Sequence, residues 1–236
     1  MTSPAAAPSP SAARSDGRRR AALSLDAILT EAIALLDADG EAALTFRALA
    51  ARLGGGVASI YWYVETKDDL LAKAADRTLE SVLEATAGFT SAPDPVDDLR
   101  EIATAFYRAL DARPWLAQFF MRDTGGQPNA TRFYEHLGQQ VLRLGLTPRQ
   151  SLDAVSAILG FTIGTAADLG RRGGAERGER DAERVATAAA VWRELPSDEY
   201  PFVAYIVEEF ARHDDAEQVR AGLNLLLAGL RLQASG

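Results

Sequence analysis

Apolar residues recur every three or four positions along almost the whole chain after Ser24, which is the spacing of one face of an α-helix. Ser24, Thr45 and Thr66 are residue types that cap helix N-termini, while glycine and proline mark other boundaries. No stretch alternates in the way that indicates a strand. The sequence therefore predicts an all-α fold, with helices at about 24–40, 45–53, 57–64, 67–87, 95–112, 114–120, 128–144, 147–169, 181–195, 199–212 and 215–233.

Two segments lack this pattern. Residues 1–22 are rich in Ala, Pro and Ser and contain the run Gly17-Arg18-Arg19-Arg20, so they predict a disordered tail. The arginines fit either a solubilising tail or an arm that reaches phosphates or a minor groove. Residues 170–180 contain a single apolar side chain besides glycine, Ala175, and predict a mobile loop.

Composition excludes several classes of protein. The 236 residues include no cysteine and two histidines, which excludes disulfide scaffolds, cysteine nucleophiles and thiolate metal sites. No apolar run approaches the ~20 residues of a transmembrane helix and no secretory signal is evident, so we expect a cytoplasmic protein without membrane contact. The net charge of -8 disfavours non-specific nucleic-acid binding, but residues 1–80 carry 9 basic and 11 acidic residues against 16 and 22 in the remainder. The N-terminal part is therefore the less acidic one, and if the protein binds an anion such as nucleic acid, we expect that part to bind it.

The second and third predicted helices are joined by the turn Gly54–Gly56, an arrangement typical of a helix-turn-helix DNA-binding domain. At about 100° per residue, Val57, Ile60 and Val64 share the face that packs on the first two helices. The opposite face carries small residues at its start, which let the backbone approach base edges in a major groove. This outward face consists of Ala58, Ser59, Trp62 and Tyr63.

The consecutive aromatic residues Tyr61, Trp62 and Tyr63 are the strongest functional signal in the chain. They can be core residues, but three successive side chains cannot all face one way. Arg47 and Lys67 lie in the first turns of predicted helices, where anions bind. The pattern therefore predicts contacts of the aromatic residues and these two cations with DNA.

Four strings within residues 24–75 repeat a known signature: Leu44–Ala50, Leu53-Gly54, Ile60–Val64, and Lys67 with Leu70-Leu71. They closely resemble the DNA-binding domain of the TetR (tetracycline repressor) family. Two positions depart from that pattern, because Gly55 replaces an apolar residue and Tyr63 stands where many relatives have His. The resemblance implies that double-stranded operator DNA is contacted by Thr45, Arg47, Val57, Ala58, Ser59, Tyr61, Trp62, Tyr63 and Lys67.

The domains predicted after the tail are residues 23–70, for DNA binding, and 71–236, for ligand binding and dimerisation. Two helix-turn-helix units related by a twofold axis read half-sites about one helical turn apart or a multiple of it. The resemblance implies that the helices at 151–169 and 215–233 form a homodimer interface; packing within one chain is the alternative. The apolar stripes of these helices are Val155, Leu159, Thr162, Ile163 and Ala166, and Val219, Leu223, Leu226, Leu227 and Leu230.

A regulator of this type also needs a cavity for a small-molecule inducer, whose identity the sequence does not give. Leu83 and Asp123 stand near the positions that align with the magnesium-chelating histidines of tetracycline repressors, so tetracycline is not expected. Aromatic walls with a few polar groups are typical of ligand sites. The candidate ligand-binding residues are Phe106, Trp115, Phe119, Phe120, Arg122, Asp123, Phe133, His136, Gln140 and Phe161.

An enzyme and a protein-binding helical module are the alternatives to a ligand-released repressor. The sequence has no nucleophile elbow, phosphate-binding loop or His-Glu-x-x-His motif, so we predict no enzyme, no catalytic residues and no cofactor. His213-Asp214-Asp215 fits a helix end followed by a capping aspartate better than a metal site. A helical module that binds another protein remains the second alternative, and salt dependence discriminates it from a DNA-binding protein.

Overall fold

The computed structural model describes residues 23–122, 126–171, 177–212 and 214–234, and these residues form eleven α-helices and no strand. The all-α prediction is confirmed. The predictions made for residues 1–22, Asp123 and His213 lie outside the described residues. The helices are α1 (Leu25–Ala43), α2 (Phe46–Leu53), α3 (Val57–Ile60), α4 (Lys67–Thr86), α5 (Pro95–Ala112), α6 (Pro114–Arg122), α7 (Pro128–Leu142), α8 (Pro148–Arg171), α9 (Arg177–Arg193), α10 (Pro201–Ala211) and α11 (Asp215–Ala234).

The chain forms two compact units that divide between Thr78 and Leu79, within α4 and later than the predicted boundary after residue 70. The first unit contains α1 to α3 and the start of α4. The predicted caps of its helices are present: Ser24 Oγ accepts a hydrogen bond from the Ala27 N–H at 3.1 Å, and Thr45 Oγ1 accepts one from the Ala48 N–H at 3.1 Å. These bonds satisfy N–H groups that the first turn of a helix leaves free.

Gly40 and Gly54 set the two turns of this unit. Gly40 has φ +73° and ψ -178°, so it breaks the helical path of α1 as predicted, although one further turn continues to Ala43. Gly54 ends α2 with φ +64°, the left-handed conformation that glycine adopts without strain. The chain can therefore reverse direction immediately before α3.

The third helix is shorter than the predicted 57–64 span. It ends at Ile60, and residues 61–63 form a turn in which the Tyr63 N–H donates to the Ile60 carbonyl at 2.9 Å. At the start of α4, Thr66 Oγ1 accepts a hydrogen bond from the Asp69 N–H, and Asp69 Oδ2 accepts one from the Glu65 N–H, each at 3.0 Å. This cap fixes the start of α4 at Lys67. The span 57–64, which was predicted as one helix, therefore contains a short helix followed by a turn.

In the second unit, α8 is the central helix and packs against α5, α6, α7 and α11. Contrary to the prediction that no apolar run approaches this length, the segment Pro148–Gly170 of α8 has the length and hydropathy of a membrane span. Burial of 44% of its most apolar window inside the protein, together with its four neighbouring helices, gives it the character of a core helix.

The predicted loop at 170–180 is wrong at both of its ends. Gly170 and Arg171 continue α8, and residues 177–180 belong to α9. Polar and charged residues can extend a helix on its solvent side even where no apolar periodicity marks it. Beyond this point α9 and α10 pack on each other, with the Trp192 and Phe210 rings stacked at a centroid distance of 4.2 Å.

The apolar stripes predicted for dimerisation lie mostly inside the chain. On α8 the buried positions include Val155, Ile163 and Ala166, and on α11 they include Val219, Leu223, Leu227 and Leu230. A Cβ on Gly222 would lie 2.5 Å from the ring of Phe161, so this glycine permits close approach of α11 to α8 within one chain. These stripes therefore pack within one chain, which was the alternative to a dimer interface. Their burial there already removes the apolar side chains from water.

Candidate functional site

The first unit exposes an aromatic side chain to an unusual degree. Trp62 is 88% exposed, at the turn that follows α3. Its neighbours Tyr61 and Tyr63 are 55% and 39% exposed. The prediction that this ring projects away from its own helices is confirmed by these values.

Apolar residues on the other side of the same segment anchor it. Ile60 and Val64 are each 1% exposed and belong to the core of the unit. Val57 is half-buried, whereas Ala58 is exposed and Ser59 is half-buried. The predicted division of the segment into an inward and an outward face is therefore present, and small side chains stand at the start of the outward face.

The two tyrosines hold the exposed segment in place. The Tyr61 ring meets the Phe46 ring edge to face, with centroids 4.8 Å apart, which ties the turn to the first residue of α2. The Tyr63 hydroxyl donates a hydrogen bond to the Leu23 carbonyl at 2.9 Å, just before α1. Trp62 is thus flanked by two aromatic residues that are fixed to other parts of the same unit.

Cations and a hydroxyl lie at the neighbouring helix starts. Arg47 is exposed in the first turn of α2, and Thr45, also exposed, caps that helix. The Lys67 ammonium donates to the Glu41 carbonyl at 2.8 Å, which uses one of its three donors and leaves two N–H bonds free to meet an anion. The nine sequence-predicted DNA contacts all belong to one unit and to the segments α2, α3, the following turn and the start of α4.

The second unit contains a cavity of about 610 Å³, within the size range of sites for drug-sized ligands. Its most buried wall residues form the floor: Leu79, Phe106, Phe120, Phe133 and Ile163, each at most 7% exposed. The centroid of the Phe106 ring lies 4.6 Å from that of the Phe133 ring and 5.9 Å from that of the Phe120 ring. Three aromatic rings from three helices therefore meet at the floor.

The mouth of the cavity is lined by exposed or partly exposed residues of α6, α7 and α8. Tyr134 and Met121 are 42% and 59% exposed, and Thr131, Ser156 and Gly160 are also exposed. The cavity rim is the name used below for Met121, Gly126, Thr131, Tyr134, Ser156 and Gly160. Hydroxyl groups therefore concentrate at the rim, while the floor is apolar.

The sequence-predicted ligand residues separate into two groups. Phe106, Phe120 and Phe133 line the cavity. The others do not line it: Trp115 and Phe119 are buried elsewhere in the core, Arg122 is exposed, and Phe161 packs on Gly222. His136 and Gln140 belong to a hydrogen-bond network described below, and Asp123 lies outside the described residues.

Several lining residues were missed because they had been assigned to other roles. Leu159 and Ile163 were assigned to the dimer interface, and Leu79 belongs to the helix predicted at 67–87. The spacing of Ser156, Leu159, Gly160 and Ile163, at i, i+3, i+4 and i+7, is that of one helix face and was the available signal.

His136 and Gln140 in the second half of α7, with Arg143 directly after it, form hydrogen bonds near the end of α4 and the loop that follows it. The His136 Nε2 atom lies 3.0 Å from the Thr86 carbonyl oxygen, near the C-terminus of α4. Arg143 donates to Asp98 Oδ2 and Gln140 Oε1, each at 2.7 Å, and to the Thr90 carbonyl at 3.1 Å. Asp98 and Gln140 are buried, and these bonds satisfy Asp98 Oδ2 and Gln140 Oε1.

A short helix that is preceded by a glycine turn and followed by an exposed aromatic turn, in a chain with a larger helical domain that contains a cavity, is typical of a helix-turn-helix transcriptional regulator. Residues 28–74 match the family described as bacterial regulatory proteins, tetR family, and residues 92–234 match the tetracyclin repressor-like C-terminal domain. The chain belongs to the TetR family of transcriptional regulators, as the sequence resemblance predicted.

Curated relatives agree with this assignment. An HTH-type transcriptional regulator of Saccharopolyspora erythraea is 30% identical over 189 residues, covering 79% of this chain and 76% of that protein. The HTH-type transcriptional repressor DrrR1 of Streptomyces coeruleorubidus is 30% identical over 214 residues, covering 89% and 78%. These descriptions name transcriptional regulators, and neither names an enzyme.

Solved structures share the fold. The transcriptional regulator SCO7222, a TetR from Streptomyces coelicolor, superposes with a TM-score of 0.77 at 34% identity and covers 90% of this chain and 99% of its own. Apo ActR from the same species gives a TM-score of 0.79 at 23% identity, covering 91% and 97%. At that lower identity the likeness concerns the fold alone.

Proposed function

We propose that this regulator is a repressor that binds a palindromic operator as a homodimer and is released by a small-molecule inducer. The observation that carries the DNA-binding part is the 88% exposure of Trp62 beside the anchored residues Ile60 and Val64. A monomer gains nothing from leaving an indole in water, whereas a major groove offers thymine methyl groups and sugar edges to it. A DNA-binding regulator of this kind works in the cytoplasm.

The expected contacts with DNA follow from the described surface. Ala58 and Ser59 allow close approach to base edges, and Trp62 supplies an apolar contact. Arg47, Thr45 and the remaining Lys67 donors are placed to bind phosphates, which fix the register of the protein on the duplex. Val57, Tyr61 and Tyr63 complete the recognition surface and orient it.

A repressor released by a ligand is supported by relatives. DrrR1 is described as a transcriptional repressor, and ActR is described in complex with actinorhodin. In this chain Leu79, on the cavity floor, belongs to α4, the helix that begins at Lys67, shortly after the turn at residues 61–63. A ligand that displaces this part of α4 therefore acts on the helix that carries the DNA-binding unit.

Such a ligand shifts the equilibrium only by its differential affinity for the DNA-binding and released states. A difference of about 5.5 kcal/mol is needed to move the populations from 1:99 to 99:1. The apolar floor can supply a difference of this kind if its shape changes with the position of α4.

Homodimerisation is supported by apolar side chains that face solvent in the single chain. Leu225 and Leu232 of α11 are 76% and 77% exposed, and Leu152 of α8 is 50% exposed. Small residues, Gly160 and Gly229, are exposed on the same two helices. The proposed interface is thus formed by the outer faces of α8 and α11, not by the buried stripes that the periodicity first indicated.

DNA binding is tested by gel shift on the promoter DNA of the protein's own gene, with salt as the variable. If the protein neutralises Z phosphates, the logarithm of the association constant falls with the logarithm of salt concentration with a slope of about -0.9Z. Arg47→Ala is expected to reduce that slope by about 1, and Trp62→Ala to weaken binding at all salt concentrations.

Arg149→Ala, which removes an exposed arginine of α8 far along the chain, is the matched control and should change neither quantity. Unchanged gel shifts for Arg47→Ala and Trp62→Ala would contradict the assigned surface. Binding of a protein partner through the same unit, the alternative function, would show little salt dependence.

A further inference from the structure

The DNA-binding unit has few cations for a surface that is proposed to bind a polyanion. Its described part, residues 23–78, contains five basic and nine acidic residues. Three of the five cations form ion pairs with carboxylates of the same unit: Arg52 with Glu31 and Asp39, Lys73 with Asp69, and Arg77 with Asp26. Arg47 and Lys67 therefore remain as the cations of this part that can displace counterions from a duplex.

The sequence carries further cations immediately before this part. Arg18, Arg19 and Arg20 are consecutive, and two alanines separate them from Leu23, the first residue that the structure describes. They would raise the number of cations available to DNA from two to five in each chain. Such a run fits either an arm that binds nucleic acid or a solubilising tail. The point at which the chain enters the unit discriminates between the two.

The chain enters the unit beside the exposed aromatic turn. The Tyr63 hydroxyl donates to the Leu23 carbonyl at 2.9 Å, and Tyr63 directly follows Trp62, the most exposed aromatic residue of the turn. The next residue, Ser24, is fixed as the cap of α1. Leu23 is therefore held at the face that is proposed to meet a major groove. A solubilising tail works from any point of the surface, whereas an arm that binds the same DNA has to leave from this face.

The arginines are close enough to reach the groove next to the one that the turn would occupy. An extended chain spans at most about 3.6 Å per residue, so Arg20 can lie no farther than about 11 Å from Leu23, and Arg18 no farther than about 18 Å. In B-DNA a minor groove about 6 Å wide borders the major groove across one sugar-phosphate backbone. Its negative potential is strongest where A·T pairs narrow the groove, and it attracts guanidinium groups.

From the position of Leu23 and the shortage of unpaired cations we infer that Arg18, Arg19 and Arg20 bind the minor groove beside each operator half-site. Tyr63 is the positioning residue, because its hydrogen bond directs the chain that carries them toward the DNA. The inference rests on the proposed operator binding and adds to it a preference for A·T pairs at positions outside the major-groove contacts.

Footprinting with dimethyl sulfate on the promoter DNA of the protein's own gene tests the inference. The reagent methylates guanine N7 in the major groove and adenine N3 in the minor groove, so one experiment reports on both grooves. The wild type is expected to protect guanine N7 within the half-sites and adenine N3 beside them. The triple substitution Arg18→Ala, Arg19→Ala and Arg20→Ala should abolish the adenine protection alone, reduce the salt slope by at least about 2, and weaken binding at least about tenfold.

The matched control removes the same charge from exposed positions of the second unit, by Arg132→Ala, Arg149→Ala and Arg212→Ala. This variant should keep both protections and the wild-type salt slope. Equal effects of the two triple substitutions would show that net charge matters and position does not, which would overturn the inference.

Tyr63→Phe keeps the ring and removes the hydroxyl that bonds to Leu23. It is expected to weaken the adenine protection in the otherwise wild-type chain and to have no further effect on affinity in the triple arginine variant, because it acts through the arm. A loss of affinity of equal size in both backgrounds would show a direct contact of the hydroxyl with DNA and would overturn the positioning role.

The failure of the inference and the failure of operator binding give different footprints. Adenine protection that is absent from the wild type, or that persists in the triple arginine variant, would overturn the inference, and guanine protection in the same lanes would leave operator binding standing. A wild type that protects neither base would refute operator binding, and the inference with it.

Discussion

At the scale of single residues, Asp94 combines two stabilising interactions. Its carboxylate caps α5 by accepting a hydrogen bond from the Val96 N–H at 2.9 Å, and it pairs with Arg231 of α11, whose Nε lies 2.7 Å from Oδ2. The hydrogen bond from Val96 lowers the pKa of Asp94, partial burial opposes it, and Arg231 lowers it further, so the pKa lies below its ordinary value. The charged form is therefore favoured in the folded state.

A lowered pKa in the folded state means that the stabilisation is present at neutral pH and is lost as the pH falls through the folded pKa. Asp94→Ala is expected to lower the free energy of unfolding by about 1 kcal/mol at neutral pH. Asp94→Asn should cost less, since asparagine caps helices well, and its difference from wild type should shrink at acidic pH as the pH falls through the lowered pKa of Asp94. Urea unfolding at both pH values measures this.

Asp153→Asn serves as the control, because Asp153 pairs with Arg149 on the exposed surface of α8 and caps no helix. It should leave the stability nearly unchanged at either pH. A destabilisation by Asp94→Asn that persists undiminished in acid would show that the charge of Asp94 is not responsible.

Residue patterns predicted the exposure of the aromatic segment Tyr61–Tyr63 better than the lining of the cavity. The consecutive aromatic residues and the small residues before them are adjacent in sequence, so one short segment fixes their faces. The cavity collects Leu79, Phe120 and Ile163 from distant segments, and which of many aromatic residues face it depends on how the helices pack. Trp115 and Phe120 belong to the same helix, yet only Phe120 lines the cavity.

At the scale of elements, α7 joins the cavity to the end of α4. Ala130, Thr131 and Tyr134 of its first half line the cavity, while His136 in its second half bonds to the Thr86 carbonyl. His136 therefore connects α7, which lines the cavity, to the C-terminal end of α4. This makes α7 a physical connection between two elements, and its energetic coupling is a testable property.

His136→Ala is expected to leave the affinity for a cavity ligand, identified by thermal-shift screening, within about twofold, because His136 does not line the cavity. Loss of one hydrogen bond of about 1 kcal/mol should reduce the effect of that ligand on operator affinity by about fivefold. Gel shifts with increasing ligand measure the effect.

Gln139→Ala, an exposed position on the same helix, provides the comparison and should release the operator as wild type does. Release of the operator by His136→Ala at the wild-type ligand concentration would contradict a coupling role for this contact.

Element boundaries followed from the sequence wherever a cap or a proline marks them. Pro95, Pro114 and Pro128 are each the first residue of a helix, as predicted. The end of α3 was missed because Tyr61–Tyr63 continue the apolar pattern although their backbone forms a turn. Periodicity identifies which residues are apolar on one face, but it cannot decide whether that face meets the same chain or another, which is why the stripes of α8 and α11 were misassigned.

At the scale of the whole molecule, the exposed leucines of α11 favour association of two chains. Leu225 and Leu232 lie on the side of α11 away from its buried residues. Burial of such side chains in a specific interface stabilises association in proportion to the apolar area removed from water. The proposed dimer thus accounts for apolar surface that the single chain leaves in solvent.

The double substitution Leu225→Glu with Leu232→Glu is expected to weaken dimerisation by at least about a hundredfold, since each chain would bring uncompensated carboxylates into the interface. Both side chains are exposed in the single chain, so its helical content should be kept. Analytical ultracentrifugation measures the mass of the assembly.

Leu142→Glu, at a position of α7 that is 61% exposed, is the control and should leave the dimer intact. Equal masses for the double variant and the wild type would place the interface elsewhere.

The exposure of Trp62 also makes the protein its own optical reporter. Trp115 is 6% exposed, and Trp192 is half-buried against the ring of Phe210, whereas the indole of Trp62 is surrounded by water. A soluble quencher such as acrylamide therefore reaches Trp62 preferentially in the free protein. Occupancy of the recognition surface can be followed by the shielding of this one fluorophore, without attaching a dye.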